Sequence, residues 1–364
     1  MLFQHRNKIL WAILLSVPVF LLLSFSPQKM LEEGAHRTKK RSHQGIYITH
    51  YYAQSPKLLA GLMQQAKQSG IDTLVIDSKW FLEKPFLELV KQKKLNDSVR
   101  VFPDPWFAQL VKEMHDDGFI VTARLVAFKD DHLVLGRRDL GIQLGNDIYR
   151  DHKGGKWSDP YSSEVRLFNA LIAERAAMCG VDEIQFDYIR FPAEGKASQA
   201  VCPFEQEGVS RVDIICQFLK EVRERVKKYN TSIAVDIFGV TAWQSKNDIE
   251  ALGQDVKRMA PYIDVLSPML YPSHFHAGYD GFANPGSQPY HFMSEGVRKT
   301  KEILSVEAVA IVPWIQGFNL RSPNYGPDYI SEQVKACRDE GAEGFLIWNA
   351  RNDYDQAFSA LKKK

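Results

Sequence analysis

Two kinds of hydrophobic pattern alternate along the chain from residue 45 onward. Short apolar runs rich in β-branched and aromatic residues are typical of buried strands, and the longer stretches between them carry apolar residues at helical spacing. The predicted strands are Gly45–His50, Ile71–Ser78, Phe119–Phe128, Val181–Phe191, Ser232–Gly239, Ile263–Tyr271, Val306–Gln316 and Ala342–Asn349. The predicted helices are Lys57–Ser69, Pro105–Asp117, Ser162–Met178, Val209–Tyr229, Asp248–Met259, Gly296–Leu304 and Asp328–Glu340.

This alternation predicts an α/β fold, a single (β/α)8 TIM barrel over residues 45–364. Gly70, Gly118, Gly180 and Gly341 each follow a predicted helix, where glycine commonly ends one. The rival architecture is an open doubly wound sheet. That fold wants a glycine-rich phosphate loop after the first strand, where this chain has His50–Ala53 instead.

The N-terminal segment has a different pattern. Ile9–Phe25 is uncharged and apolar, and His5, Arg6 and Lys8 precede it. We predict that residues 1–26 form a signal anchor or transmembrane segment and that 27–44 form a polar tether. The charge asymmetry places the barrel outside the cytoplasm, anchored to the membrane. The alternative is a cleaved signal peptide, which would leave the barrel secreted or periplasmic.

The amino-acid composition narrows the classes of function that this chain could have. The net charge of +2 argues against an electrostatic nucleic-acid binder. The 7 Trp, 14 Tyr and 21 Phe suit both sugar stacking and a large core. Four cysteines without a CxxC pair predict no metal cluster, and no cofactor is expected. Free thiols are favoured, with a Cys202–Cys216 disulfide as the alternative.

One carboxylate is out of place in a predicted buried strand. Asp187 lies far along the apolar run that ends before Pro192, on the same face as Gln185. A strand core excludes a lone carboxylate unless a partner or a function requires it. Asp187 is therefore a candidate catalytic acid at the C-terminal mouth of the barrel. The structural alternative is an ion pair between Asp187 and Arg190.

A second carboxylate follows on the next strand. Alternation in Ser232–Gly239 points Asp236 inward, so Asp187 and Asp236 should meet across the mouth. Two such acids are what glycosidic cleavage needs, and their coupling would set them in different protonation states. We predict Asp187 as nucleophile, Asp236 as acid/base and, from their short separation, a retaining mechanism. The alternative for Asp236 is a buried hydrogen-bond anchor.

Other side chains at the strand ends are predicted to support these acids. Arg124, Lys79 and Arg190 would hold the nucleophile anionic, and Asp77 would form an ion pair with Lys79. The remaining predicted substrate-binding residues are aromatic or hydrogen-bonding groups, namely Gln185, Tyr188, Tyr271, His274, Trp314, Gln316, Trp348 and Asn349. Three further tryptophans, Trp80, Trp157 and Trp243, fall in the flanking loops.

His274 and His276 are candidate metal ligands. Their i,i+2 spacing could place two imidazoles together, but no HExxH-like spacing accompanies them. We therefore predict no metal site, with hydroxyl binding or loop capping as the role of His274. A metal-dependent carbohydrate deacetylase is the less favoured alternative.

Residues 45–355 resemble an uncharacterised bacterial family of glycoside hydrolase domains, formerly catalogued as a domain of unknown function. The motifs that carry the resemblance are Val75–Lys79, Ala123–Asp130, Trp157–Tyr161, Asp182–Pro192, Asp236–Gly239, Ser267–His274 and Pro313–Gln316. The resemblance implies a barrel that acts on polysaccharide, often outside the cytoplasm. The chain departs from the family at Gly317, Trp80 and Phe81, where the family carries acidic residues.

A wider analogy is to α-amylase-like barrels, which carry a nucleophilic aspartate at the end of strand four and an acid/base glutamate at the end of strand five. Asp187 matches the first position, and Asp236 is a shorter acid at the second. The prediction is a glycoside hydrolase that cleaves an extracytoplasmic or cell-envelope polysaccharide. The alternative is a barrel that binds or scaffolds glycan without cleaving it.

Overall fold

The computed structural model describes residues 43–243, 245–305 and 307–362. Within them, eight parallel strands close into a barrel. The strands are β1 (His43–Ile48), β2 (Thr73–Asp77), β3 (Ile120–Val126), β4 (Glu183–Asp187), β5 (Ser232–Phe238), β6 (Val265–Met269), β7 (Ala310–Ile311 and Trp314–Gln316) and β8 (Gly344–Trp348). Each pairs in parallel with its neighbours in sequence, and β8 returns to pair with β1. The predicted barrel is confirmed.

Within the same described residues, eight principal helices follow the strands. They are α1 (Pro56–Gln68), α2 (Pro105–Asp116), α3 (Ser163–Met178), α4 (Arg211–Val226), α5 (Lys246–Leu252 and Val256–Met259), α6 (Pro289–Ile303), α7 (Pro327–Asp339) and α8 (Asp355–Lys362). Short helices in the connections are His50–Ala53, Lys79–Leu82, Lys84–Lys91 and Asp131–Gly136. The side chain of Ser162 caps α3, and Ser210 forms a capping box with Asp213 at the start of α4.

The single helix predicted over Asp248–Met259 is wrong. Gly253 takes a left-handed φ of 76° and ends the first half of α5. The side chain of Gln254 then donates to the carbonyl oxygens of Ile189 and Asp236. The break in α5 therefore ties this connection to the ends of β4 and β5.

Strand alternation divides the barrel core into two regions. In β5, Ile233, Val235 and Ile237 are fully buried against the helices, in the large cluster that surrounds the sheet. Ala234 and Asp236 point the other way, into the barrel. Apolar side chains from other strands fill the barrel interior in a separate cluster that includes Tyr47, Val75, Val265, Val312, Trp314 and Leu346.

Two prolines weaken the ladder between β6 and β7. Pro313 separates the two pieces of β7, and Pro268 lies within β6. Proline has no N–H to donate to a neighbouring strand. Pairing between these strands is therefore limited to Val265 with Ala310, Leu266 with Ile311 and Met269 with Trp314.

The longest connections follow β3, β4 and β6 and cover the C-terminal mouth of the barrel. The one after β3 contains a short antiparallel hairpin of Gln143–Leu144 with Asp147–Ile148. All four cysteines are buried free thiols, as favoured from their spacing. No helix in the described ranges is long and apolar enough to cross a bilayer. The predicted anchor at 1–26, and the tether except for its last two residues, lie outside those ranges.

Candidate active site

Asp187 is the last residue of β4 and points into the mouth of the barrel. Its side chain is 8% exposed. The next residue, Tyr188, has a φ of 51°, a value uncommon for a residue other than glycine. This conformation directs the backbone N–H of Tyr188 to Oδ1 of Asp187, at 2.6 Å. The chain therefore turns sharply at the point where it presents the carboxylate.

Arg124 holds the second oxygen of Asp187. Its Nη2 lies 2.5 Å from Oδ2 of Asp187, and its Nη1 lies 3.1 Å from Oδ1 of Asp77. The guanidinium also lies over the rings of Trp348 and Tyr47, at 5.0 and 5.5 Å. The two carboxylates raise the pKa of Arg124 well above its ordinary value, although burial works in the opposite direction. Arg124 is therefore a fixed cation between two acids.

Asp236 lies level with Asp187 on the neighbouring strand. Phe186 of β4 pairs with Val235 of β5, so the two aspartates that follow them occupy adjacent positions. Trp314 donates from its indole Nε1 to Oδ1 of Asp236 at 2.7 Å. The indole therefore holds one of the two oxygens of this carboxyl group in place.

The two acids are in different electrostatic environments. Burial is the largest effect on Asp236 and raises its pKa well above the ordinary value, and the negative charge of Asp187 raises it further. Arg124 and the hydrogen bond from Trp314 act in the opposite direction but are weaker. Asp236 therefore holds its proton more strongly than a free aspartic acid does, and it lies beside an aspartate that is paired with an arginine.

An aromatic wall borders the acids. Tyr271 and His274 pack against Phe318, at 5.5 and 5.9 Å between ring centroids. Burial, followed by the charges of Asp236 and Asp187, raises the pKa of Tyr271 well above its ordinary value. Burial also lowers the pKa of His274, so this imidazole is neutral at neutral pH. The predicted aromatic residues Tyr271, Trp314 and Trp348 thus lie beside the acids.

Tyr47, which the sequence-based candidates omit, belongs to the same wall. Its ring stacks on Trp348 with centroids 4.1 Å apart, and its hydroxyl donates to Oδ2 of Asp77 at 3.2 Å. Alternation along β1 would have pointed this side chain into the barrel together with Gly45. The signal was present, but the first strand carries no charged residue to draw attention to it.

The structure places Lys79 away from the acids, contrary to the predicted ion pair with Asp77. Its Nζ lies 2.7 Å from Oδ2 of Asp130 and donates to Asn169 and to the carbonyl oxygens of Val126 and Ala127. Residue 79 begins a short helix rather than continuing β2, so period-two alternation no longer applies there. Lys79 is a buried structural cation, and Arg124 takes its place beside Asp77.

Arg190 also lies apart from Asp187. Its guanidinium forms an ion pair with Glu194 at 2.8 Å and lies over Phe238, Trp157 and Tyr188. The positive φ of Tyr188 rotates the following residues out of the strand pattern. Neither the predicted support of the nucleophile nor the alternative ion pair with Asp187 is observed for Arg190. Tyr188 itself packs edge-on against the buried Trp157.

Three predicted hydrogen-bonding residues are engaged inside the protein. Gln316 accepts from the backbone of Ser273 and donates to the carbonyl of Phe318 and to Ser322. Asn349 donates to the carbonyl oxygens of Gly317 and Asp353.

Gln185 is fully buried and donates to Ser267 at 3.2 Å. The donors of Gln316 and Asn349, which were predicted to bind substrate hydroxyls, hold the loops at the mouth instead. Gln185 lies in the barrel interior rather than at its surface.

Gly317 marks a close approach of two strands. An added Cβ would lie 2.6 Å from Cγ2 of Ile347 and 2.9 Å from the carbonyl oxygen of Trp348. No space is available there for an acidic side chain. The absence of an acid at this position thus follows from the packing of β7 on β8.

The two histidines considered as metal ligands have different neighbours. His274 packs on Tyr271, and the ring of His276 packs on Tyr279. Across the described ranges, no group of three or more His, Cys, Asp or Glu side chains is arranged to hold a metal ion.

Comparison with known proteins gives a family and a fold. A family model described as "Putative glycosyl hydrolase domain" matches residues 45–354. No curated protein matches the chain.

Among solved structures, the glycoside hydrolase domain of PgaB (BpsB) from Bordetella bronchiseptica aligns with a TM-score of 0.60 at 12% identity, covering 88% of this chain and 98% of that one. The endo-β-1,4-mannanase from Thermotoga petrophila aligns with a TM-score of 0.58 at 13% identity, covering 90% and 77%. At these identities the structural matches support the barrel fold alone.

Proposed function

Because the chain belongs to this family of glycosyl hydrolase domains, we propose that its barrel hydrolyses glycosidic bonds in a polysaccharide and that Asp187 and Asp236 are the reacting acids. The observation that carries the proposal is the position of two carboxyl groups at one level of adjacent strands, one buried with a raised pKa and the other paired with Arg124. Glycosidic cleavage needs one acid that can donate a proton and one that can bear negative charge.

The steps follow from the two protonation states. Asp236 donates its proton to the glycosidic oxygen as the bond to the anomeric carbon breaks, and Asp187 attacks that carbon to form a glycosyl ester. Asp236, now a carboxylate, then removes a proton from water as the water attacks the ester and releases Asp187. Arg124 stabilises the charge of Asp187 before and after the covalent step.

Substitution of the two acids tests these roles. Asp187→Asn and Asp236→Asn should each lower kcat/KM on a cleaved glycan by at least about 10²-fold, the lower range for loss of a positioned acid or base. Asp264→Asn is the matched control. Asp264 lies before β6 at the opposite end of the barrel, where it pairs with Arg223. Turnover that survives both site substitutions would refute the assignment.

A retaining outcome is part of the proposal. Adjacent positions on neighbouring strands favour the short carboxyl separation of about 5 Å that retaining enzymes use. NMR of the first product anomer would test it directly. Initial release of the inverted anomer would assign Asp187 to activation of water instead of nucleophilic attack.

The burial of Asp236 favours a second candidate function. Only 1% of this residue is exposed, so a substrate must displace side chains at the mouth to reach it. A barrel that binds glycan without cleaving it has no such requirement. That candidate predicts glycan affinity that survives both Asp→Asn substitutions, with no product released by the unaltered protein.

We also propose that the barrel is anchored at the membrane and faces the extracytoplasmic side. The support is the apolar Ile9–Phe25 segment with basic residues before it. A reporter enzyme that is active only outside the cytoplasm, fused after Lys364, should be active. Recovery of the full-length chain in a carbonate-washed membrane fraction would distinguish an anchor from a cleaved signal.

A further inference from the structure

A tryptophan is exposed close to the candidate active site. Trp80 is 54% exposed and lies in the short helix Lys79–Leu82, directly after β2. Only Ser78 and Lys79 separate it from Asp77, so the Cα atoms of Asp77 and Trp80 are at most roughly 11 Å apart. This large side chain is therefore open to solvent on the mouth side of the barrel, where β2 ends.

The short helix that carries Trp80 is held in place by contacts in the protein interior. The adjacent Lys79 places its ammonium among Asp130, Asn169 and two carbonyl oxygens in the interior. Leu82, at the other end of the helix, is fully buried. The indole is therefore presented to solvent by an anchored turn rather than by a free loop.

Two histidines from neighbouring strand ends border the indole. The ring of His50, after β1, lies 5.7 Å from Trp80 with an interplanar angle of 24°. The ring of His132, after β3, lies 5.2 Å away. His132 Nδ1 is 2.6 Å from Oε1 of the buried Glu83, which fixes the imidazole and leaves Nε2 as its second polar atom.

We propose that Trp80, flanked by His50 and His132, is a stacking platform for a pyranose ring of the glycan, on the β1–β3 side of the mouth. This inference rests on the proposed function and extends it to a second binding position. The indole face suits the C–H face of a sugar ring, and His132 Nε2 suits a ring hydroxyl. Trp80 lies close to Asp77, which pairs with Arg124 beside the acids. We therefore expect the glycan chain that reaches the acids to occupy the platform as well.

Binding to a protein that cannot turn over tests the platform separately from catalysis. The background is Asp187→Asn, and the probe is whichever of mannohexaose, cellohexaose and chitohexaose binds it most tightly by calorimetry. Adding Trp80→Ala should weaken binding by about tenfold, and Trp80→Phe should weaken it less. The matched control is Trp106→Ala, since Trp106 is 44% exposed and packs on Phe81.

The outcomes separate the platform from the proposed function. Glycan affinity that depends on Trp80, together with no hydrolysis of that glycan by the unaltered protein, would support the platform and refute the hydrolase. Hydrolysis with unchanged KM in Trp80→Ala would refute the platform alone. A protein that neither binds nor cleaves any of the three hexasaccharides contradicts both. Quenching of Trp80 fluorescence by phospholipid vesicles, but by no glycan, would assign this surface to a membrane instead.

Discussion

Trp314 donates a hydrogen bond from its indole to Asp236, across the barrel from the arginine that holds Asp187. The bond connects the weakly paired β7 with the acid on β5. Its effect on Asp236 is to lower a pKa that burial and the charge of Asp187 raise. The indole therefore tunes how readily this carboxyl group gives up its proton.

Replacing Trp314 should move the pH dependence of hydrolysis. Trp314→Phe removes the donor, so the pKa of Asp236 should rise further and the alkaline limb of the kcat/KM profile should shift to higher pH. Trp348→Phe is the comparison. Trp348 packs edge-on against Trp314, and its replacement by phenylalanine removes a similar aromatic area. An alkaline limb that stays in place in Trp314→Phe would show that Asp236 is not the proton donor.

Asp236 should also affect stability in a pH-dependent way. The pKa of Asp236 is higher in the folded protein than in the unfolded chain, where it is about 4. The folded protein therefore loses stability as the pH rises from that value through the pKa of the folded state. Asp236→Asn removes this penalty, which amounts to about 1.4 kcal/mol for each pH unit by which the folded pKa exceeds the unfolded one. Urea unfolding should therefore find the variant more stable than the parent at pH 8, with the advantage shrinking toward pH 4. An advantage that grows on acidification would contradict the raised pKa.

Arg124 should be a large contributor to stability at neutral pH. Arg124→Met leaves the buried Asp187 without its cation, which typically costs about 3–5 kcal/mol. The control is Arg138→Met, since Arg138 pairs with Asp147 at the surface, where an ion pair is worth about 0–1 kcal/mol. Denaturant midpoints compare the two. Equal small losses would mean that Asp187 does not depend on Arg124.

Lys79 should behave as a structural residue rather than as a catalytic support. Lys79→Met leaves Asp130 buried without its cation, at a cost of about 3–5 kcal/mol. Adding Asp130→Asn should recover part of this loss, because it removes the unpaired charge and keeps an oxygen to cap the following helix. Thermal unfolding of the single and double variants measures the recovery. A double variant less stable than Lys79→Met would contradict this role.

Gln316 should be needed for the loops at the mouth and not for the glycan. Gln316→Leu leaves the backbone N–H of Ser273 without its acceptor, a loss of about 1–3 kcal/mol. KM should be unchanged at a temperature where the variant is fully folded. A raised KM with unchanged unfolding temperature would restore the original expectation that Gln316 binds substrate.

The alternation of side chains along the strands predicted the part of the site that depends only on position in a regular strand. The barrel, the inward direction of Asp187 and Asp236, and the position of Arg124 all follow from alternation along regular strands. The same rule failed where the chain leaves the strand. Lys79 begins a helix, and Arg190 follows the left-handed Tyr188, so neither side chain continues the strand pattern.

The sequence also could not predict the hydrogen-bond partners of the polar residues at the mouth. Gln316 and Asn349 lie where a substrate-binding residue would lie, but loop carbonyls and amides take up their hydrogen-bonding groups. Those contacts depend on the path of the loops, which short-range periodicity does not encode. Asp130 and Asn169, the partners of Lys79, likewise come from elements distant in sequence.

The paired prolines of β6 and β7 have a consequence for motion. Pro268 and Pro313 interrupt the ladder at this seam between β6 and β7, so amide exchange through local opening should be fast there. Trp314 lies on that seam, one residue beyond Pro313. Each local opening would carry the indole away from Asp236, so the opening rate of this seam would set how long the acid keeps the hydrogen bond that lowers its pKa.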